Sequence, residues 1–258
     1  AARAGAAGGL HGQQTWRSGA QYAEWGELLA RSDPSAPTHA GMTAFIGPMD
    51  APGVEVRPIA QMRGGSSFNE VFFDDVRLPD SARLGPEGEG WKVALTTLSF
   101  ERDHSDSGGT GGGARAGGSW RQLLDTARFV GCTDDPVMRQ RLMEVYVHTR
   151  VEALLNRRAA DLMRDGTPGP EGSVGKLMWT QGMTLIGNVI GEVLGPRLVA
   201  DTGEWGTFAW NEHLLGAPGY RIAGGSDEVQ RNILGERVLG LPGEPRVDKG
   251  IPWRDIPR

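Results

Sequence analysis

The sequence predicts an α+β chain in which a first part built of short strands is followed by a longer helical part. Three observations carry this. Up to about Leu84, brief apolar or alternating runs are broken by turn residues. After Pro86, apolar residues recur at helical spacing over long segments. At 258 residues the chain is long enough for one or two domains and a sizeable core. The expected division is a β-domain over residues 1–86, a helical domain over 87–242 and a tail over 243–258.

The β reading rests on Trp16 and its surroundings, Leu28-Leu29-Ala30, Met42-Thr43-Ala44-Phe45-Ile46, Val54-Glu55-Val56 and Phe68-Asn69-Glu70-Val71-Phe72-Phe73. Asp33-Pro34, Pro37, Gly41, Pro52-Gly53 and Asp74-Asp75 separate them, a spacing that suggests a sandwich or a barrel. Residues 1–12 are low in complexity and are expected to be frayed or loop-like.

The first helix is expected over residues 88–103, with Trp91, Leu95 and Leu98 forming a stripe to bury. A glycine-rich break over 107–118 reads as a flexible connector. It lacks the Gly-Lys-Ser/Thr ending of a phosphate-binding loop. A second helix covers 120–129. Asp134-Asp135-Pro136 then combines an acidic cap with a first-turn proline and starts a long helix that stops near 165–170. Another carries Val174, Leu177, Met178, Gln181 and Leu185 and ends at Gly195-Pro196. A last one is capped by Ser226 and ends before Gly240. Long antiparallel helices joined by short loops make a bundle.

Composition excludes several classes of function. The net charge is −5 and the basic residues are dispersed among acids, which points away from nucleic acid. The single cysteine, Cys132, permits no internal disulfide, fits a reducing, cytoplasmic setting and reads as an incidental thiol. The longest apolar stretch, 183–194, contains Asn188 and Glu192 and is too short to span a membrane. The chain does not begin with Met, so a fragment or a processed product is expected.

Glu101 is the residue that points to chemistry. Ala94, Leu98 and Glu101 fall at i, i+4 and i+7, which brings a carboxylate out at the edge of a partly apolar helix face. Burial there would raise its pKa toward neutrality and suit it to act as a general base. On the residues alone a solvated glutamate paired with the adjacent Arg102 remains open.

Four stretches together resemble the acyl-CoA dehydrogenase family. Gly12-Gln13-Gln14-Thr15-Trp16-Arg17-Ser18-Gly19-Ala20 is similar to its flavin-contacting strand, and Phe68-Asn69-Glu70-Val71-Phe72-Phe73-Asp74-Asp75-Val76-Arg77-Leu78-Pro79 to the strand leaving its middle domain. Residues 88–102 resemble its first C-terminal helix. Gly224-Gly225-Ser226-Asp227-Glu228-Val229-Gln230-Arg231-Asn232-Ile233 resembles its flavin-proximal C-terminal motif. The resemblance implies a β-barrel-like middle domain followed by a C-terminal four-helix bundle, bound FAD, and removal of hydrogens from the α and β carbons of an acyl-CoA substrate. It also implies electron-transfer flavoprotein or a similar acceptor, and a homo- or hetero-oligomer.

By position, the resemblance assigns Trp16 and Ser18 to the flavin ring. It assigns Gly225, Ser226 and Glu228 to the phosphate and ribose region, Glu101 to the catalytic base and Arg102 to its support. On the residues themselves Trp16 also fits core packing, and Ser226 a bare helix cap.

Departures bear on these assignments. Gly224 stands where many members carry a catalytic glutamate, and Glu101-Arg102 match the alternative placement of the isovaleryl-CoA and long-chain enzymes. The family's amino-terminal helical domain is absent from the sequence. Its Arg-x-x-Phe-Gly pattern is replaced by a segment holding Arg139 and Arg141, and Glu192 stands in place of a glutamine. Two further readings follow: a non-catalytic partner subunit of a heteromeric enzyme, and a flavin monooxygenase or oxidase on the same fold.

Overall fold

A computed structural model describes residues 2–3, 9–101, 118–163, 172–206, 208 and 210–256. Nearly all of the expected glycine-rich connector, and the helix stop at 165–170, lie outside the described residues. The chain forms two compact units, Ala1–Glu101 with Glu244–Arg258, and Arg102–Gly243.

The first unit contains seven strands among its described residues: β1 (Ala2–Arg3), β2 (Leu10–Ser18), β3 (Trp25–Arg31), β4 (Met42–Pro48), β5 (Val54–Gln61), β6 (Gly65–Val76) and β7 (Arg83–Leu84). All five expected runs are strands. The reading of residues 1–12 as frayed is corrected at residues 10–12, because β2 already starts at Leu10, which is buried; residues 4–8 lie outside the described residues.

The sheet order is β5-β6-β2-β1-β3-β4-β7. Pairing is antiparallel within the β5-β6-β2 ladder and the β3-β4-β7 ladder. Among the described residues the two-residue β1 links them, through Ala2–His11 and Ala2–Arg31. A barrel needs a staggered ladder that continues around the axis. Among the described residues this sheet instead ends at β5 and β7, so the expected barrel is an open sheet. Leu10, Leu28, Ala30, Phe45 and Val76 form its core. A 150 Å³ cavity remains beside them, lined by Val54, Val71 and Phe73 together with Arg17, Ser18 and Glu27.

Helix α1 (Gly90–Glu101) packs on β3 and β4 within this unit. Gly90 is required: a Cβ there would lie 2.5 Å from the Ala44 nitrogen. Trp91 stacks on His39 at 4.4 Å and 7°, and Thr97 Oγ1 donates to Glu27 Oε2 at 2.9 Å. The expected buried stripe is corrected. Leu95 and Leu98 are 45% and 39% exposed, because the helix meets the sheet at Gly90 and Thr97 rather than along that row.

The expected separate tail returns to this unit. The Trp253 and Arg254 amides donate to the Ala36 and Pro34 carbonyls, and the Arg31 guanidinium lies 4.7 Å over the Trp253 ring.

The second unit, expected as a four-helix bundle, holds five α-helices among its described residues: α2 (Trp120–Val130), α3 (Pro136–Met163), α4 (Gly172–Leu194), α5 (Trp210–Tyr220) and α6 (Asp227–Ile233). Local chemistry sets their ends. Ser119 and Gln122 close a capping box on α2, and Gly131 ends it at φ 81°. Asp135 Oδ1 accepts from the amides of Val137 and Met138 at the start of α3.

Ile186, Val189, Ile190 and Val193 of α4 fill the core with Leu123, Val145 and Trp210. Helix α5 was not expected from the sequence. It brings Trp210, whose Nε1 donates to Thr126 Oγ1, and buried His213, whose Nε2 donates to the Met183 carbonyl at 2.9 Å. Cys132 is half-buried, and burial pushes its thiol pKa up, which keeps it a thiol rather than a nucleophile.

Candidate functional site

Trp16 lies in a β-bulge. Between the pairs Gln14–Val71 and Arg17–Asn69, β2 advances three residues while β6 advances two. The extra residue throws Trp16 to φ 64°, a left-handed conformation that costs a bulky side chain about 1–3 kcal/mol. The indole is 65% exposed and touches Phe68 edge-on at 5.9 Å. Core packing therefore does not account for it. Ser18 ends the same strand opposite Phe68 and lines the 150 Å³ cavity.

Asn69, which the sequence presented only as one letter of a motif, secures this bulge. It is fully buried, and its amide donates to the Arg17 carbonyl at 3.0 Å and to Gln21 Oε1 at 2.5 Å. Gln21 Nε2 in turn donates to the Ser66 carbonyl. The Asn69 Oδ1 has no partner, so the net stabilisation comes from the donor side.

Gly225, Ser226 and Glu228 stand together in the second unit. Gly224 and Gly225 take φ 66° and 97°, a turn that favours glycine twice in succession. A Cβ at Gly225 would lie 2.6 Å from Gln230 Nε2, whereas one at Gly224 would meet nothing within 4 Å. Backbone conformation, not space, is what sets Gly224 apart from a carboxylate-bearing residue.

Ser226 caps α6, its Oγ accepting from the Val229 amide at 3.4 Å. Glu228 is exposed. Its own amide and the Ser226 hydroxyl hold its carboxyl below the usual glutamate range. An ionic set around one buried carboxylate anchors this turn. Asp227, 2% exposed, accepts from Arg221 Nε and Nη2 at 2.8 and 2.5 Å and lies 3.8 Å from Lys176 Nζ. Lys176 donates to the Gly225 carbonyl at 2.7 Å and Gln230 Nε2 to that of Gly224 at 2.8 Å. Burial lowers the Lys176 pKa, opposed by the Asp227 charge.

Glu101 is the last residue of α1; its side chain, and all of Arg102, lie outside the described residues. Arg139 is exposed. Arg141 is engaged within the chain: its guanidinium grips Glu192 at 2.7 to 3.1 Å and also bonds Glu144. That pairing holds Glu192 below the usual carboxylate range. Two positions at which the sequence departs from the family pattern thus pair with each other.

Comparison with known proteins gives the following. Residues 88–239 match the model of the acyl-CoA dehydrogenase C-terminal domain. Acyl-CoA dehydrogenase IpdE1 of Mycolicibacterium smegmatis is 38% identical over 236 residues, which is 91% of this chain and 58% of that protein. A structure described as the Tcur3481-Tcur3483 steroid ACAD superposes with a TM-score of 0.81 at 26% identity, covering 94% of this chain and 63% of that one. The ChsE4-ChsE5 complex of Mycobacterium tuberculosis gives 0.74 at 26% identity, covering 94% and 64%. The chain thus spans a little under two thirds of the length of these relatives. Among the described residues no helix is long and apolar enough to cross a membrane.

Proposed function

Because the chain belongs to the acyl-CoA dehydrogenase family, we propose that it binds FAD and serves in the α,β-dehydrogenation of an acyl-CoA thioester. The observation that carries this reading is Trp16, a strained indole presented to solvent rather than to the core. Strain of this kind persists where a site uses it, and a flat aromatic face suits a flat ring. Trp16 and Ser18 would take the flavin ring. Gly225 and Ser226 would take the phosphate region, where a turn without side chains and a helix start leave backbone amides accessible. Glu228 would take the ribose.

When bound, FAD supplies the acceptor for the hydrogen that leaves the β carbon. The chain's own residues do the rest. The thioester carbonyl acidifies the α carbon, and Glu101 removes that proton, with Arg102 supporting its charge. The acyl group proposed is branched or ring-bearing, a reading supported by the description of the first structural neighbour as a steroid enzyme. Electron-transfer flavoprotein or a similar protein would receive the electrons. Assembly as a homo- or hetero-oligomer is supported by the two-component neighbours.

A second reading, a partner subunit without chemistry of its own, is favoured by Gly224, which leaves the commoner base position without a carboxylate.

Anaerobic titration of the purified, FAD-loaded protein with ring-bearing and straight-chain acyl-CoAs separates the two. Bleaching of the oxidised flavin bands, strongest with ring-bearing substrates, is expected. Retained FAD with unbleached bands would favour the second reading. Absence of FAD binding would sink the first.

A further inference from the structure

The ladder between β2 and β6 holds two bulges, one on each strand. Between the pairs Leu10–Val76 and Gly12–Phe73 the extra residue lies on β6; between Gln14–Val71 and Arg17–Asn69 it lies on β2. Each bulge carries one of the two positive φ angles found outside glycine among the described residues, 49° at Asp75 and 64° at Trp16. Each is also met by a polar side chain from the opposite strand. His11 Nδ1 accepts from the Asp75 amide at 3.2 Å, and Asn69 Nδ2 donates to the Arg17 carbonyl at 3.0 Å. The two bulged residues differ in what they need. A short polar side chain such as that of Asp75 visits the left-handed region on its own, whereas a bulky indole has to be held there.

The hold on Trp16 has a direction built into it. Gln21 Nε2 donates to the Ser66 carbonyl at 3.1 Å, which leaves its Oε1 to face Asn69. Asn69 Nδ2 gives one hydrogen to that oxygen and the other to the Arg17 carbonyl. Both donors are spent, and Oδ1 is left buried without a partner. The position is fully buried, and a hydrocarbon side chain would fill it without an unpaired oxygen. What a hydrocarbon cannot do is fix the carbonyl of the residue after Trp16. With that carbonyl held on one side and the Gln14–Val71 pair on the other, the extra residue is absorbed at Trp16. We propose that Asn69 and Gln21 are positioning residues for the cofactor contact, holding Trp16 in the left-handed conformation that presents its ring. The proposal rests on the reading of Trp16 as a flavin contact and adds to it two residues that act through Trp16.

Calorimetric titration of the purified chain with FAD reads this coupling. Trp16→Ala should weaken binding about tenfold or more, and Asn69→Ala about fivefold or more. Placed beside Trp16→Ala, Asn69→Ala should weaken it less than about twofold further, because its effect passes through a ring that is no longer there. A residue that only supported the fold would weaken binding by the same factor in both backgrounds. Gln21→Leu leaves Asn69 its bond to Arg17, so it should give a smaller loss in the same direction, and it carries the test if Asn69→Ala does not fold. Without FAD, Trp16→Gly should raise the urea midpoint of the parent, because glycine takes φ 64° freely. Beside Asn69→Ala, whose bulge can relax, it should raise the midpoint less. Equal factors or equal midpoint gains in the two backgrounds would overturn the proposal and leave the flavin reading standing, as would parental FAD affinity in both Asn69→Ala and Gln21→Leu. Unchanged affinity in Trp16→Ala would overturn the flavin reading itself, and the proposal with it.

Discussion

The bulge at Trp16 and the turn at Gly224-Gly225-Ser226 are held by opposite means. The bulge presents a large strained side chain, secured from behind by one neutral amide, that of Asn69. The turn presents almost no side chain. It is secured by buried charge, with Asp227 between Arg221 and Lys176. The difference is one of what each must fix. An exposed ring needs only its direction set, whereas a turn whose backbone is to meet a ligand needs every dihedral set, and an ion set around a buried carboxylate does that at a desolvation cost.

The comparison breaks most readily at Asp227. Asp227→Ala leaves Lys176 and the half-exposed Arg221 without their counter-charge, and should cost about 2–3 kcal/mol in denaturant unfolding. A loss under 1 kcal/mol would mean that the turn holds itself. Gly225→Ala should cost about 1–3 kcal/mol, since the residue must keep φ 97° and displace Gln230. An unchanged midpoint would remove the claim that this backbone is constrained.

Acid sharpens the comparison within the helical unit. Burial lowers the His213 pKa below its ordinary 6.5. The unfolded chain therefore takes up a proton first as pH falls. Stability from this group is complete above 6.5 and is lost as pH drops from there through the folded value. Thermal melts should show that loss, and His213→Gln should lessen it. The smallest stability effect belongs to Trp16→Ala, within about 0.5 kcal/mol because the ring is exposed, while FAD affinity should fall about tenfold or more. A core tryptophan would instead cost about 3–5 kcal/mol.

What could be read in advance was local. Asp135-Pro136 and Ser226 announced helix starts because capping is decided within three or four residues. The five main strands were visible as runs between turn residues. Helix α5 was hidden because Gly216, Pro218 and Gly219 read as loop, while Trp210 and His213 reach partners at Thr126 and Met183. The anchor between Lys176 and Asp227 spans 51 positions and leaves no periodic trace. The Leu95 and Leu98 reading failed because spacing tells which residues share a face, not which face finds a neighbour. Likewise, open sheet and barrel carry the same strand pattern and differ only in how the edges pair.

The central claim is that Glu101, supported by Arg102, takes the α proton while Trp16, Ser18, Gly225, Ser226 and Glu228 hold the cofactor. Rapid anaerobic mixing of FAD-loaded Glu101→Gln protein with an acyl-CoA that bleaches the parent tests it most directly. The account predicts unchanged FAD content and bleaching slowed by about 10²–10⁴-fold. Bleaching at the parent's rate would contradict it.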